Sequence, residues 1–261
     1  MRLSVEASQA IMTFREVCEY VCFLYSMCAS APYIYVCDLQ TMCASAMIAI
    51  TPKRIALATW LLENVEKEVS VYQATKEAGV LNYHATHEAF KDFAAAGYVR
   101  RTRTGSYQVT DAPALVHQIA LAFPFRLKPI VGFSLGGDMM EKMQRLSSTQ
   151  PDVVFTLFAG AELLSPYIKT AMVHAYVPAG SIETQKDRLL QSGGRRAELN
   201  EADTFLLPTR HAFVFKFSRR RGSYRIPPMA VLLADLESYG GLAQEQAARI
   251  MTEWLSRPSA L

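Results

Sequence analysis

Residues 79–111 read GVLNYHATHEAFKDFAAAGYVRRTRTGSYQVTD, and three signals stand in them in order. Asn82 has the short polar side chain that caps a helix N-terminus. Ala89, Phe90 and Phe93 then recur at helical spacing, and Gly97 offers the left-handed backbone on which helices stop, so the spacing predicts a helix over residues 83–96. From Tyr98 to Val109 the pattern alternates about a Thr104-Gly105 turn, which predicts two short strands. Alternation sends Val99, Tyr107 and Val109 toward a core and leaves Arg100, Arg101 and Arg103 outside, with no acid between Tyr98 and Val109.

Working upstream, Thr51 is a cap for a helix beginning at Pro52, with Ile55, Ala58 and Leu62 on one face. Ser70 and Gln73 have capping-box spacing for a second, short helix that ends near Ala78, and Gly79 makes the turn to the third. Three helices followed by a basic hairpin is the order of a winged helix-turn-helix. In that fold the second helix of the pair enters the major groove and its N-terminal residues reach base edges. Asn82, His84, Thr86 and His87 are therefore the candidates for sequence readout, with Tyr83 and Lys91 beside them on the same outward face. Arg100, Arg101, Arg103 and Ser106 are the hairpin candidates for contact with phosphates or the minor groove of double-stranded DNA. A solvated charged face and ordinary surface histidines are the competing reading. The capped helix pair just ahead of the hairpin favours the DNA reading.

Bulk charge does not decide the matter. The 261 residues carry 27 Lys and Arg against 24 Asp and Glu, and residues 51–111 alone have eight against seven, so placement rather than net charge carries the argument. Half of the chain is apolar, enough for a folded protein with a sizeable core. We read an α+β protein: a cysteine-rich extension over residues 1–50, a winged helix-turn-helix over 51–122, and a mixed α+β domain over 123–261.

All five cysteines, Cys18, Cys22, Cys28, Cys37 and Cys43, lie in the extension, and none forms a CxxC pair. That spacing fits reduced, buried thiols in a cytoplasmic protein better than a metal site or a disulfide framework. Residues 20–37 carry no charge, and Ala29-Ser30-Ala31 looks like a signal-peptidase site, but Glu16 and Glu19 stand where a basic segment should be. With Pro32 and several Tyr and Ser residues, this weighs against both a signal peptide and a membrane span. The pentapeptide MCASA occurs at 27–31 and again at 42–46 with no chemistry attached to it, and Met42 or Met47 would serve as alternative starts.

Beyond Phe123-Pro124 the pattern predicts strands near 129–133, 172–177, 197–199, 204–208 and 212–217. Helices are expected over 138–146, 155–164, 182–190, 229–238 and 242–255. His174 and Trp60 read as packing residues. Gly132-Phe133-Ser134-Leu135-Gly136 matches the nucleophile elbow G-x-S-x-G after an apolar strand, which makes a serine hydrolase using Ser134 the enzymatic alternative. A triad would need an acid such as Asp187 or Asp203 and then His211. No His-Gly oxyanion motif precedes the serine, and the chain before it reads as helix-turn-helix, so no catalytic residue is assigned. Neither a phosphate loop, a dinucleotide fingerprint nor a metal-ligand pattern is present, and no cofactor is expected. Arg219-Arg220-Arg221, read as a hairpin tip before Gly222, is a second basic cluster that would extend a DNA footprint or meet an acidic partner, with a solvated turn as the competing reading.

The stretch Tyr224-Arg225-Ile226-Pro227-Pro228-Met229-Ala230-Val231-Leu232-Leu233-Ala234-Asp235-Leu236-Glu237-Ser238-Tyr239-Gly240-Gly241, followed by Glu245, Ala247 and Ala248, resembles the C-terminal segment of the AbiEi antitoxin family. Phe158 to Tyr167, with Ala159-Gly160-Ala161-Glu162-Leu163-Leu164-Ser165-Pro166-Tyr167 ahead of His174-Ala175-Tyr176-Val177, is similar to that family as well. The resemblance covers about residues 51–256. It implies a winged-helix repressor that controls its own type IV toxin-antitoxin operon, often at inverted repeats. It also implies a second domain that counters a nucleotidyltransferase-like toxin without necessarily binding it. A stand-alone winged-helix regulator, and a winged helix that docks protein rather than DNA, are the alternatives on the binding side.

Overall fold

A computed structural model describes residues 50–149 and 151–256, so the cysteine-rich segment and its repeat lie outside the described residues. Helix α1 (Pro52–Glu63) starts where the Thr51 hydroxyl accepts from the Arg54 N–H at 3.4 Å. Helix α2 (Val71–Ala78) is capped by Ser70, whose Oγ accepts from the Gln73 N–H at 3.0 Å, and ends at Gly79 with φ +62°. Helix α3 (Tyr83–Ala95) is capped by Asn82, and Gly97 (φ +81°) turns the chain into strand β1 (Val99–Arg101). Strand β2 (Tyr107–Val109) returns antiparallel, with Val99 opposite Val109 and Arg101 opposite Tyr107. Val69, just before α2, exchanges backbone hydrogen bonds with Tyr107 at 2.8 Å in both directions and so adds a third rung to the hairpin. Helix α4 (Ala112–Ala122), capped by Asp111, follows.

The remainder is built on a five-stranded mixed sheet. Its strands are β3 (Val131–Ser134), β4 (Val154–Thr156), β5 (Val173–Pro178), β6 (Arg195–Arg196) and β7 (Thr204–Thr209), in the order β4-β5-β7-β3-β6. Only β5 and β7 run parallel, in register from Val173 opposite Thr204 to Pro178 opposite Thr209. Around it stand α5 (Met139–Thr149), α6 (Leu157–Glu162), α7 (Ile182–Gln191) and α8 (Ala212–Lys216). A small hairpin of β8 (Arg219–Arg221) and β9 (Tyr224–Ile226) leads into α9 (Met229–Tyr239) and α10 (Leu242–Ser256). The protein is α+β, as its sequence pattern suggests. One apolar core nevertheless runs across the Phe123-Pro124 turn, because α9 packs against α1, α4, α6 and α10 together.

Three segments depart from expectation. Residues 155–164 form the end of β4 and then a short helix, with Leu157 at the corner in the left-handed region (φ +49°), a strained conformation for a branched side chain. Residues 155–161 are buried without a break, so the apolar pattern there has no period by which to tell strand from helix. Residues 212–217, whose alternation suggests a strand, form α8, since tertiary contacts at Phe213 and Val214 override the aromatic β-propensity. The strand expected at 197–199 is β6 at Arg195–Arg196, two residues earlier.

His174, on β5, is buried with its ring stacked on Phe205 at 4.6 Å and met edge-on by Phe125 and Tyr239, and its Nδ1 has no partner among the described residues. Burial pulls its pKa from 6.5 down to about 4. An unfolded chain takes up a proton below about pH 6.5 that the folded chain refuses until about pH 4, so the associated stability is intact above 6.5 and is lost across that window. The loss is on the order of 3 kcal/mol. Urea midpoints measured from pH 7 to pH 4 should fall more steeply for the native chain than for His174→Phe; equal slopes would contradict this assignment.

Candidate nucleic-acid interface

Helix α3 presents Asn82, Tyr83, His84 and Lys91 to solvent, with His87 half-buried and its ring parallel to that of Tyr83 at 6.4 Å. The Asn82 Oδ1 accepts from the Ala85 N–H at 2.8 Å. A bidentate reading of adenine needs both the oxygen and the amide nitrogen, so while it caps the helix Asn82 offers a base its N–H donors and only the second lone pair of Oδ1. Glu88 lies on the same side, 3.0 Å from the Lys91 Nζ and 3.7 Å from the His87 Nδ1. The hydrogen bond from Lys91 holds its carboxyl below the ordinary glutamate value against the opposing effect of desolvation, and the charges of Lys91, His84 and His87 help.

Thr86 is a correction. Its side chain is buried, and its hydroxyl donates to the Asn82 carbonyl at 2.8 Å. The position precedes Ala89 by three residues, Phe90 by four and Phe93 by seven, which places it on the stripe that faces the core, so it is not on the outward face expected of it. The remaining α3 candidates do share one face.

In the hairpin Arg100, Arg101 and Arg103 are exposed, and none forms an ion pair with a described residue. Arg100 reaches the Gln108 Oε1 at 3.2 Å from directly across the ladder. Ser106 is half-buried and its carbonyl accepts from the Thr102 N–H at 2.8 Å, which closes the turn. The Thr104 hydroxyl donates to Glu68 at 3.1 Å, so an acid flanks the tip. Phe90 of α3 packs on Tyr107 of β2 with ring centroids 4.5 Å apart, and this contact fixes the basic hairpin beside α3.

Polar contacts from the sheet-bearing part of the chain hold this unit near both α2 and α1. Lys216, at the end of α8, donates to the carbonyls of Ala78 at 2.6 Å and Glu77 at 3.2 Å, closing the C-terminus of α2 beside Gly79. Glu63, at the end of α1, accepts from the Arg219 Nε at 2.7 Å and from the Met229 N–H that opens α9 at 2.8 Å. Burial raises the Glu63 pKa, and Arg219 and the Met229 N–H only partly offset it. The second basic cluster is thus strand β8, with Gly222-Ser223 as the tip; Arg219 is committed to Glu63, and Arg220 is exposed.

The G-x-S-x-G segment is arranged as a turn. Ser134 ends β3 opposite Arg195, and the N–H groups of Leu135 and Gly136 both donate to the Asp203 carboxylate at 3.0 Å. Desolvation raises the Asp203 pKa, but these bonds, the Thr204 hydroxyl and the Lys142 charge outweigh it and leave the carboxyl below its usual range. Among the described residues Ser134 makes no hydrogen bond to a histidine or an acid. Helix α5 starts only at Met139, after a reciprocal pair between Asp138 and Glu141.

Sequence reasoning missed a buried polar cluster. Asp235, on α9, receives Lys128, the Tyr176 hydroxyl at 2.7 Å and the Thr156 hydroxyl at 2.6 Å. Its signal was an acid inside the apolar run MAVLLADL, which demands a partner that local pattern cannot name. No family model matches the chain, and no curated protein or solved structure matches it either.

Removing the α3 cap should be separable from removing a side chain that faces outward. Asn82→Ala is expected to cost about 1 kcal/mol in urea denaturation and Asn82→Asp a few tenths at most, because Asp caps as well as Asn. A loss as large for Asp as for Ala would contradict the capping geometry.

Proposed function

We propose that residues 51–122 are a winged helix-turn-helix that binds double-stranded DNA, and that the chain is a transcriptional repressor acting as antitoxin and autoregulator of a type IV toxin-antitoxin operon. The observation that carries the DNA reading is the set of exposed, ion-pair-free arginines Arg100, Arg101 and Arg103 on a hairpin fixed beside the exposed face of α3. Val69 supplies the extra rung of such a hairpin, and the α2–α3 pair has the short glycine turn of a helix-turn-helix. Tyr83, His84, His87 and Lys91 supply groove contacts, Asn82 a donor, and the arginines and Ser106 supply phosphate or minor-groove contacts. The antitoxin part rests on the likeness of residues 224–241 to the AbiEi family, and its functional counterpart is a nucleotidyltransferase-like toxin. The occupied turn at Leu135-Gly136 supports a non-enzymatic role.

Binding to the chain's own upstream region should weaken with salt, and each of Arg100→Ala, Arg101→Ala and Arg103→Ala should reduce the slope of log K against log salt by about 0.9 where it removes a phosphate contact. Glu88→Gln should tighten binding severalfold, since it removes a negative charge from the proposed groove face and frees Lys91. Filter binding or anisotropy measures both. Unchanged binding in all three arginine variants would contradict the interface, and failure to relieve a neighbouring nucleotidyltransferase-like toxin on co-expression would contradict the antitoxin role.

A further inference from the structure

A cavity of about 600 Å³ lies between the end of α4 and the N-terminal side of α8, with no residue of α3 or of the β1–β2 hairpin in its lining. Its size suits a small organic molecule. Phe123, Leu127, Pro129, Leu207 and Pro208 give it apolar walls, and Leu127 stands 82% exposed at the rim. The polar groups that line it are Lys128, Tyr176, Thr209, Arg210 and His211, and no aspartate or glutamate lines it.

These groups differ in how far they are already satisfied. The side chain of Lys128 is 6% exposed; two of its N–H groups are taken by Asp235 and the Tyr176 oxygen at 2.6 Å. The ammonium otherwise lies 3.8 Å from the centre of the Phe123 ring, a weaker partner than an anionic oxygen. Asp235, the ion-pair partner of Lys128, is fully buried and does not line the cavity, whereas Lys128 does. Arg210 is exposed and in no ion pair with a described residue. His211 is half-buried, edge-on to Phe123 at 4.9 Å, and both burial and the Lys128 charge lower its pKa, which keeps the imidazole neutral near pH 7 and able to donate one N–H. A floor that presents N–H donors and a mouth that carries an unpaired arginine, between apolar walls, select a negative head on an apolar body and disfavour a cation.

We propose that this cavity is a binding site for a small organic carboxylate with an aromatic or branched apolar body, its carboxylate placed between Lys128 and Arg210. The site stands on its own residues and does not depend on the DNA reading.

The test uses the full chain with benzoate as probe, followed by calorimetry and by NMR shifts of the His211 and Tyr176 rings. Benzoate is expected to bind and to move those signals, with benzamide and inorganic phosphate at least about tenfold weaker, the first lacking the charge and the second the apolar body. Arg210→Glu, at an exposed position that leaves folding intact, should reduce benzoate affinity by about tenfold or more. Leu127→Asp should weaken it as well by opposing the apolar body at the rim. No binding of benzoate would overturn the proposal. So would benzamide or phosphate binding as tightly as benzoate, an unchanged affinity in Arg210→Glu, or shifts confined to residues outside the cavity.

Discussion

A buried carboxylate holds this protein together. Asp235 sits in the Met229–Leu236 stretch of α9, which is buried on every side, and a carboxyl group there is tolerated only when its polar atoms are met. Lys128 meets it from the segment that follows α4, Tyr176 from β5 and Thr156 from β4. Burial lowers the Lys128 pKa and the Asp235 charge partly restores it, while burial and the same carboxylate push the Tyr176 hydroxyl well above its ordinary value. Three distant parts of the chain are therefore registered on one side chain. Leu157, strained at the residue after Thr156, is consistent with a backbone held in place by that demand.

The same helix explains how the N-terminal helices are mounted. Its first N–H is capped by Glu63 from the end of α1, its body packs on α4, and Glu237 near its end pairs with His117 of α4. The Glu237 hydrogen bond and charge raise the His117 pKa against a lowering by desolvation, so this contact adds stability at pH below the ordinary histidine value and loses it as pH rises through the raised pKa. Lys216 adds a clamp on the C-terminus of α2. Together these leave the arginines of the β1–β2 hairpin without an ion pair among the described residues, while on α3 Asp92 is paired with Arg54 and Glu88 with Lys91; unpaired cations of that kind are what would receive an external polyanion.

Local chemistry made part of this legible in advance. Thr51, Ser70 and Asn82 each cap the helix their spacing announced, Gly79 and Gly97 take the positive φ expected of them, and Val99 and Tyr107 face the core as alternation requires. What escaped depends on non-local partners. The run at Phe155 is buried on every side and has no period; the Ala212 segment is helical because of what it packs against; and the Lys128 to Asp235 pair joins residues over a hundred positions apart. Thr86 is different, since its place on the Phe90 and Phe93 stripe could have been read from the sequence.

The proposed function requires that α3 and the hairpin act as one DNA-facing surface. The most direct measurement is an amide chemical-shift titration of the full chain with duplex DNA from its own upstream region. Shifts are expected to concentrate in residues 82–91 and 99–106 and to collapse when salt is raised. Shifts absent from both segments, or concentrated on the sheet, would contradict it.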